Sequence, residues 1–254
     1  VKLGFEESQA VYDSGSQNAR ALTEHWLHAT AFCPSCGHSQ LTRFPNNSPV
    51  ADFACPECGE QFELKSQKMS FGAKILDGAY RTMIERLNAL DNPNLLLMNY
   101  TREFGVSNLI VVPKQFFIPE IIEERKPLAA HARRAGWIGC NILFRKIPEN
   151  GKIFIVRDRV PQSSERVREQ WRKTLFLRKE TTNARGWLLT VMKCVESLGK
   201  PEFTLDEVYA SEEYIRGIYP GNNYIREKIR QQLQVLRDAG FLHFVGRGNY
   251  RLRA

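Results

Sequence analysis

The sequence predicts an α/β domain clamped by four cysteines, followed by a smaller domain of three helices and a terminal hairpin. Three observations carry that expectation. Two Cys-x-x-Cys pairs lie within residues 33–58, strands and helices alternate to about residue 180, and beyond it the pattern switches to amphipathic helices ending in a Gly-containing turn. With 254 residues, 43% of them hydrophobic, the chain suffices for one large domain or two ordinary ones, each with a real core. No run approaches the ~18 consecutive apolar residues of a membrane span. Val1-Lys2-Leu3-Gly4-Phe5 is not a charged leader before an apolar core, so a signal peptide is not expected and the protein reads as soluble and intracellular.

The cysteines come first because they fix geometry. Cys33 and Cys36 are separated by eighteen residues from Cys55 and Cys58, and each pair sits in a turn-forming context, Cys-Pro-Ser-Cys-Gly and Cys-Pro-Glu-Cys-Gly. Two such knuckles supply four thiolates that close a tetrahedron, the pattern of a structural Zn²⁺ with no open position for chemistry. Cys140 and Cys194 have no Cys-x-x-Cys partner and are expected to pack in the core.

Around the second knuckle, Pro49 to Ala54 and Gln61 to Ser66 alternate as strands do. On the second strand Glu63 and Lys65 share a face while Leu64 points to the core. A knuckle at the tip of this hairpin brings Asp52 alongside Glu63. Two neighbouring carboxylates bind Mg²⁺, and an adjacent ammonium positions or polarises a water, which is what phosphodiester hydrolysis requires. The order Asp52, spacer, Glu63-Leu64-Lys65 resembles the PD-(D/E)xK nuclease superfamily, with Ala51 in place of the proline. A second Glu-x-Lys, Glu124-Arg125-Lys126, is expected at a helix end before Pro127, as solvated charge.

Upstream, Ser16 to Leu27 reads as a helix with Ala19, Leu22 and Trp26 on one face. Glu24 on it is a candidate accessory ligand, although an exposed helix charge is the plainer expectation. Downstream come a helix near 79–89, strands at Asn94–Tyr100, Asn108–Val112, Asn141–Phe144 and Lys152–Val156, and a helix from about Ser164 to Phe176.

After residue 180, Gly186 to Leu198 is a helix with Leu188, Val191, Met192 and Val195 inward. Thr204-Leu205-Asp206-Glu207 is a capping-box start. Asn222 to Ala239 is a longer helix with Ile225, Ile229, Leu233 and Leu236 inward and Arg226, Lys228, Arg230, Gln231 and Gln234 outward, and a hairpin follows around Gly246-Arg247-Gly248. Three helices and a hairpin describe a winged helix, which lays its last helix in a major groove with Arg247 near phosphate. The charge agrees. Residues 1–100 carry 8 Lys/Arg against 11 Asp/Glu, residues 132–185 carry 14 against 5, and residues 220–254 carry 7 against 2. Two separated basic zones suit a polyanion held at two places.

The segments ADF…C-x2-C…FELKS, RKPLAAHARRAGWIGCNI and IREKIRQQLQVLRDAGFLHFVGRGNYR resemble, in order and along nearly the whole chain, the DpnI-like methyl-directed restriction endonucleases. The resemblance implies an α/β PD-(D/E)xK domain with an embedded four-cysteine zinc site over residues 1–180 and a winged-helix domain over 181–254. It implies a type II enzyme that cleaves double-stranded DNA at GATC when the adenine carries an N6-methyl group, with Mg²⁺ for catalysis and Zn²⁺ for structure. Residue by residue, it implies that Asp52, Glu63 and Lys65 are catalytic, with the Leu64 carbonyl a further Mg²⁺ ligand, and that Cys33, Cys36, Cys55 and Cys58 hold zinc. Trp137 matches a tryptophan that helps read the methylated site, with Arg133, Arg134, Arg226, Arg230, Gln231 and Arg247 as DNA contacts. A cytoplasmic prokaryotic monomer, with no membrane partner, is expected. An apolar pocket favours a methylated adenine by about 1 kcal/mol through burial, and two tethered readers multiply the preference. Two other readings keep the same residues: a zinc-containing winged-helix regulator whose carboxylates are only structural, and a structure-specific repair nuclease.

Overall fold

The structure, a computed structural model, describes residues 3–5, 15–45, 51–87, 89, 92–101, 103 and 105–253. In chain order its helices and strands are α1 (Gly15–Thr30), β1 (Thr42–Arg43), β2 (Phe53–Ala54), β3 (Gln61–Gln67), β4 (Ile75–Ala79), α2 (Tyr80–Arg86), β5 (Asn94–Thr101), β6 (Gly105–Val112), β7 (Ile122–Glu124), β8 (Gly139–Ile142), β9 (Ile153–Arg157) and β10 (Val160–Pro161). They continue as α3 (Ser164–Thr174), α4 (Thr182–Ser197), β11 (Glu202–Thr204), α5 (Leu205–Tyr209), α6 (Glu212–Ile218), α7 (Ile225–Asp238), β12 (Leu242–Gly246) and β13 (Asn249–Leu252). The chain forms two compact units, one of residues 1–75, 85–114 and 150–172, the other of residues 76–84, 115–149 and 173–254.

The first unit is built on a seven-stranded sheet ordered β1-β2-β3-β5-β6-β9-β10. β3 runs parallel to β5, Leu64 opposite Leu96, and antiparallel to β2, Phe53 opposite Phe62. The apolar run of β5 is buried along nearly its whole length, as expected of a central strand covered on both faces. On α3, Val167 and Trp171 stand four apart on one face and are fully buried, the Trp171 ring 6.5 Å from that of Phe62. A polar knot closes the N-terminal end of β5: Asn94 Nδ2 donates to Glu60 Oε2 and to the Gln61 carbonyl, both at 2.9 Å, and its Oδ1 accepts from Lys114 N–H. Its polar groups are paired, so its burial is tolerated.

The second unit contains a small sheet ordered β4-β8-β7 and a helical part closed by the sheet β11-β13-β12. The inward set expected on α4 and α7, from Leu188 to Val195 and from Ile225 to Leu236, is buried throughout. Thr204 caps α5 in a full capping box: its hydroxyl accepts from Glu207 N–H and its own N–H donates to the Glu207 carboxylate. Cys140 and Cys194 are buried, as expected.

Several expectations need correction. The middle helix of the C-terminal part is two short ones, α5 and α6, and an additional strand, β11, precedes them. Glu124 is the last residue of β7, where Ile122 pairs with Ile142, so Glu124-Arg125-Lys126 lies at the end of a strand and not of a helix; pairing with β8 outweighs the helix propensity of the glutamates. The strand expected over 141–144 is β8, two residues earlier, because Phe144 begins a 3-10 turn. The helix near 79–89 ends at Arg86. Of the strand expected over 49–54 only Phe53–Ala54 is extended and paired, Pro49 and Val50 lying outside the described residues. Glu24 is not an exposed charge: it is 2% exposed, because the α1 face that packs on the sheet includes Thr23 and Glu24 as well as Trp26 and Leu27.

Candidate active site

The two knuckles fold alike. Gly37 N–H donates to the Cys33 carbonyl and Gly59 N–H to the Cys55 carbonyl, each at 2.9 Å, while Cys33 N–H reaches the His38 carbonyl and Cys55 N–H the Glu60 carbonyl at 2.8 Å. Both glycines take positive φ, 86° and 72°, a conformation in which a Cβ is strained. The four sulfurs lie within 4.8 Å of one another, with Cys33–Cys58 at 3.6 Å and Cys36–Cys55 at 3.5 Å. A tetrahedral zinc tetrathiolate has sulfurs about 3.8 Å apart, so the cluster is compatible with zinc. Burial pushes the Cys33 thiol up and the Cys58 thiol up to about 11, while at Cys55 burial is outweighed by the N–H groups of Cys58 and Glu57 and the thiol is lowered.

The second knuckle is the tip of the β2–β3 hairpin, and its register determines what lies beside what. Phe53 lies opposite Phe62 and Ala54 opposite Gln61, and Asp52 sits in the bend just before the paired residues. Asp52 N–H donates to the Phe62 carbonyl at 2.9 Å, and Leu64 N–H donates to Asp52 Oδ2 at 2.8 Å, so the carboxylate is held by the strand that carries the Glu-x-Lys. Lys65 Nζ lies 2.8 Å from Glu63 Oε1. Asp52, Glu63, Leu64 and Lys65 are thus brought together on one hairpin.

Sequence reasoning missed the cation over this hairpin. Arg20 Nη2 donates to Asp52 Oδ1 at 3.1 Å, while its Nε donates to the buried Glu24, whose other oxygen is paired with Arg43. The hydrogen bond that Arg20 donates to Glu24 is the main reason its guanidinium is held above its ordinary value. Thr23 Oγ1, 3.1 Å from Ser66 Oγ, ties the same turn of α1 to β3. The signal available in the sequence was the spacing Arg20-x-x-x-Glu24, an i,i+4 pair on a helix with Thr23 and Trp26 facing in.

Arg133, Arg134 and Trp137 form a second cluster, on the loop between β7 and β8. The loop is closed by Leu128 N–H to the Trp137 carbonyl and Gly136 N–H to the Leu128 carbonyl, both 3.0 Å. The Arg134 guanidinium lies 4.8 Å from the Trp137 ring centre. A Cβ at Gly139 would fall 2.7 Å from the indole, so this glycine is what lets the ring lie on β8. Arg133 and Arg134 are exposed and Trp137 half-buried.

On α7, Arg226, Arg230 and Gln231 point outward from the buried Ile225, Ile229 and Leu233, as the helical period requires. Arg226 is paired with Glu212 at 2.7 Å and stacks on Tyr209, Arg230 faces Glu227, and Gln231 accepts from Lys228. Arg247 is exposed at the β12–β13 turn.

Two family models match the chain. The model of DpnI, described as the Dam-replacing family, matches residues 2–180, and that of the Dam-replacing HTH domain matches residues 183–252. Residues 183–252 include α4 to α7 and the sheet β11-β13-β12, so this part is a helix-turn-helix domain, which implies DNA binding. Among the described residues no helix is long and apolar enough to cross a membrane.

Proposed function

The chain belongs to the Dam-replacing family, and on that premise we propose that it is a methyl-dependent type II restriction endonuclease, cleaving double-stranded DNA at GATC that contains N6-methyladenine. Residues 1–180 are read as a PD-(D/E)xK nuclease domain with a structural zinc, and residues 181–254 as a winged helix. The observation that supports the reading is the hairpin itself, in which the Asp52 carboxylate accepts from Leu64 N–H while Lys65 pairs with Glu63 on the same strand.

The donor set suits a hard cation: the carboxylates of Asp52 and Glu63, with the Leu64 carbonyl, are oxygen ligands of the kind Mg²⁺ takes. When bound there, Mg²⁺ supplies an acidified water and neutralises charge building on the phosphate. The chain's own part is orientation. Leu64 N–H holds Asp52 in one rotamer, and the Glu63–Lys65 contact places an ammonium where it orients the attacking water and stabilises negative charge on the phosphate oxygens. Trp137 with Arg133 and Arg134, and α7 with Arg226, Arg230 and Gln231, are read as two separate DNA contacts. An indole beside the adenine N6 buries its methyl group.

The test compares two plasmids that differ only in adenine methylation at GATC, incubated with Mg²⁺ and the wild-type or Asp52→Ala protein. Cleavage of the methylated plasmid alone, lost with Asp52→Ala while DNA binding persists, is the expected result. Binding of methylated DNA without cleavage by the wild type makes the protein a regulator, and cleavage that follows DNA structure and ignores methylation makes it a repair nuclease.

A further inference from the structure

We propose that Arg20 is a phosphate clamp of the nuclease hairpin, which exchanges its contact with Asp52 for a DNA phosphate once Asp52 engages a divalent cation. The inference rests on the nuclease reading of Asp52, Glu63 and Lys65.

Three features of α1 support it. First, Arg20 is anchored and not merely paired. Its Nε donates to Glu24, whose side chain is 3% exposed and whose other oxygen is held by Arg43, whereas the Arg20 side chain itself is 55% exposed. The rigid end of this arrangement is thus buried and the donor end reaches solvent. An isolated surface ion pair would lack the buried anchor. Second, its contacts with Glu24 and Asp52 use two of the five N–H donors of a guanidinium. The planar fork of arginine matches two phosphate oxygens at once. Third, Asp52 already faces a cation, since Arg20 lies against its Oδ1. A divalent cation added at Asp52 puts a second positive charge beside that guanidinium. The exposed end of Arg20 is the charge that yields, and a phosphodiester is the anion that the resulting excess attracts.

Glu24 is then a positioning residue. Its Oε1 accepts from Arg20 Nε and its Oε2 lies against the Arg43 guanidinium, so it steers Arg20.

The clamp makes two opposite predictions for one variant, which a purely structural role for Arg20 does not. Arg20→Gln removes a positive charge that competes for Asp52, so Mn²⁺ should bind the DNA-free protein about threefold tighter or better. The same variant lacks a donor for the phosphate, so single-turnover cleavage of methylated DNA at saturating Mg²⁺ should fall by about 100-fold. Mn²⁺ binding is read from the free-ion electron paramagnetic resonance signal on the full chain. Arg20→Lys, which keeps the charge and loses the fork, should leave Mn²⁺ binding close to wild type and still slow cleavage. Unchanged or weaker Mn²⁺ binding by Arg20→Gln, or cleavage within about threefold of wild type, overturns the clamp. Asp52→Ala is run alongside. If that variant cuts normally, the nuclease reading has failed; if it is inactive while Arg20→Gln is normal, only the clamp has.

Discussion

A Cβ at Gly139 would stand 2.7 Å from two ring carbons of Trp137, Cζ3 and Cη2, with Arg125 Nη1 at 3.4 Å. That is about 1 Å inside carbon–carbon contact. An indole cannot give way atom by atom, so in Gly139→Ala it has to swing off β8. Gly139 does not have positive φ, so the backbone accepts alanine without strain. In a strand alanine returns roughly 0.5–1 kcal/mol relative to glycine, which offsets part of the roughly 1–3 kcal/mol expected of overpacking. The net loss is roughly 0–2.5 kcal/mol, or a Tm lowered by at most about 10 °C in a chain of this size. The functional effect should be larger in kind. If Trp137 covers the N6-methyl group, each methyl it buries contributes about 0.8 kcal/mol, a factor of about four. Single-turnover cleavage of fully methylated, hemimethylated and unmethylated duplexes measures the ratio directly. Gly139→Ala should lower the methylated-to-unmethylated ratio by about fourfold for one methyl and about fifteenfold for two. Trp137→Ala should do the same, and the double variant should add little. A Gly139→Ala protein that keeps the wild-type ratio while Trp137→Ala loses it would refute this reasoning, because the indole would then have kept its place.

Metal analysis of the purified chain should find about one zinc, lost in Cys36→Ser and retained in Cys194→Ser, since only the four clustered sulfurs can close a tetrahedron. Gly37→Ala and Gly59→Ala both force alanine to positive φ, and each should lose about 1–2 kcal/mol in thermal melts. Gly37→Ala should be the worse, because its Cβ also meets Arg168 Cδ at 2.9 Å while that at Gly59 meets nothing within 4 Å. The carboxylate of Glu207 is held below the usual glutamate range, first by Lys200 and then by Thr204 N–H. Its folded value is depressed, so the stability it adds is present above the unfolded value and lost as pH falls through the folded one. The Tm gap between wild type and Glu207→Gln should therefore close on acidification. Arg247→Ala should weaken DNA binding across sequences and reduce the slope of log affinity against log salt by about one; an unchanged slope would place Arg247 away from the phosphates.

What could be read from residues alone was whatever a local period or a fixed spacing encodes. The inward faces of α4 and α7 followed from a 3.6-residue repeat, the capping box of Thr204 and Glu207 from three-residue spacing, and the four-cysteine cluster from two identical knuckles. What could not be read depended on long-range partners. Glu24 looked like one more helix charge because nothing in the sequence says that Arg43, nineteen positions away, supplies the second guanidinium that makes its burial tolerable. No local pattern marks Gly139, since its value lies in an indole two residues back that folds onto it. Glu124-Arg125-Lys126 was misplaced on a helix because charged residues carry helix propensity, while the pairing of Ile122 with Ile142 that overrides it is a tertiary fact.

The position of the second knuckle has a mechanical consequence. Asp52 is held to β3 by two contacts, its N–H to the Phe62 carbonyl and its carboxylate to Leu64 N–H, and a slip of one residue between β2 and β3 would break both. Only two residues of β2 are paired with β3, which is too short a ladder to specify register against such a slip. The turn between them is fixed instead by Cys55 N–H to the Glu60 carbonyl and Gly59 N–H to the Cys55 carbonyl, and its sulfurs are tied to Cys33 and Cys36 just beyond α1. The same tie sets the end of the helix that carries Arg20. On the proposed reading zinc therefore governs catalysis without touching substrate, by holding Asp52 in register. Removal of zinc by a zinc-selective chelator, with Mg²⁺ then supplied in excess, should abolish cleavage while DNA binding through the helix-turn-helix domain survives, because no cysteine of the cluster lies within residues 183–252. Equal loss of cleavage and of binding would mean that the clamp supports the whole chain and not this hairpin.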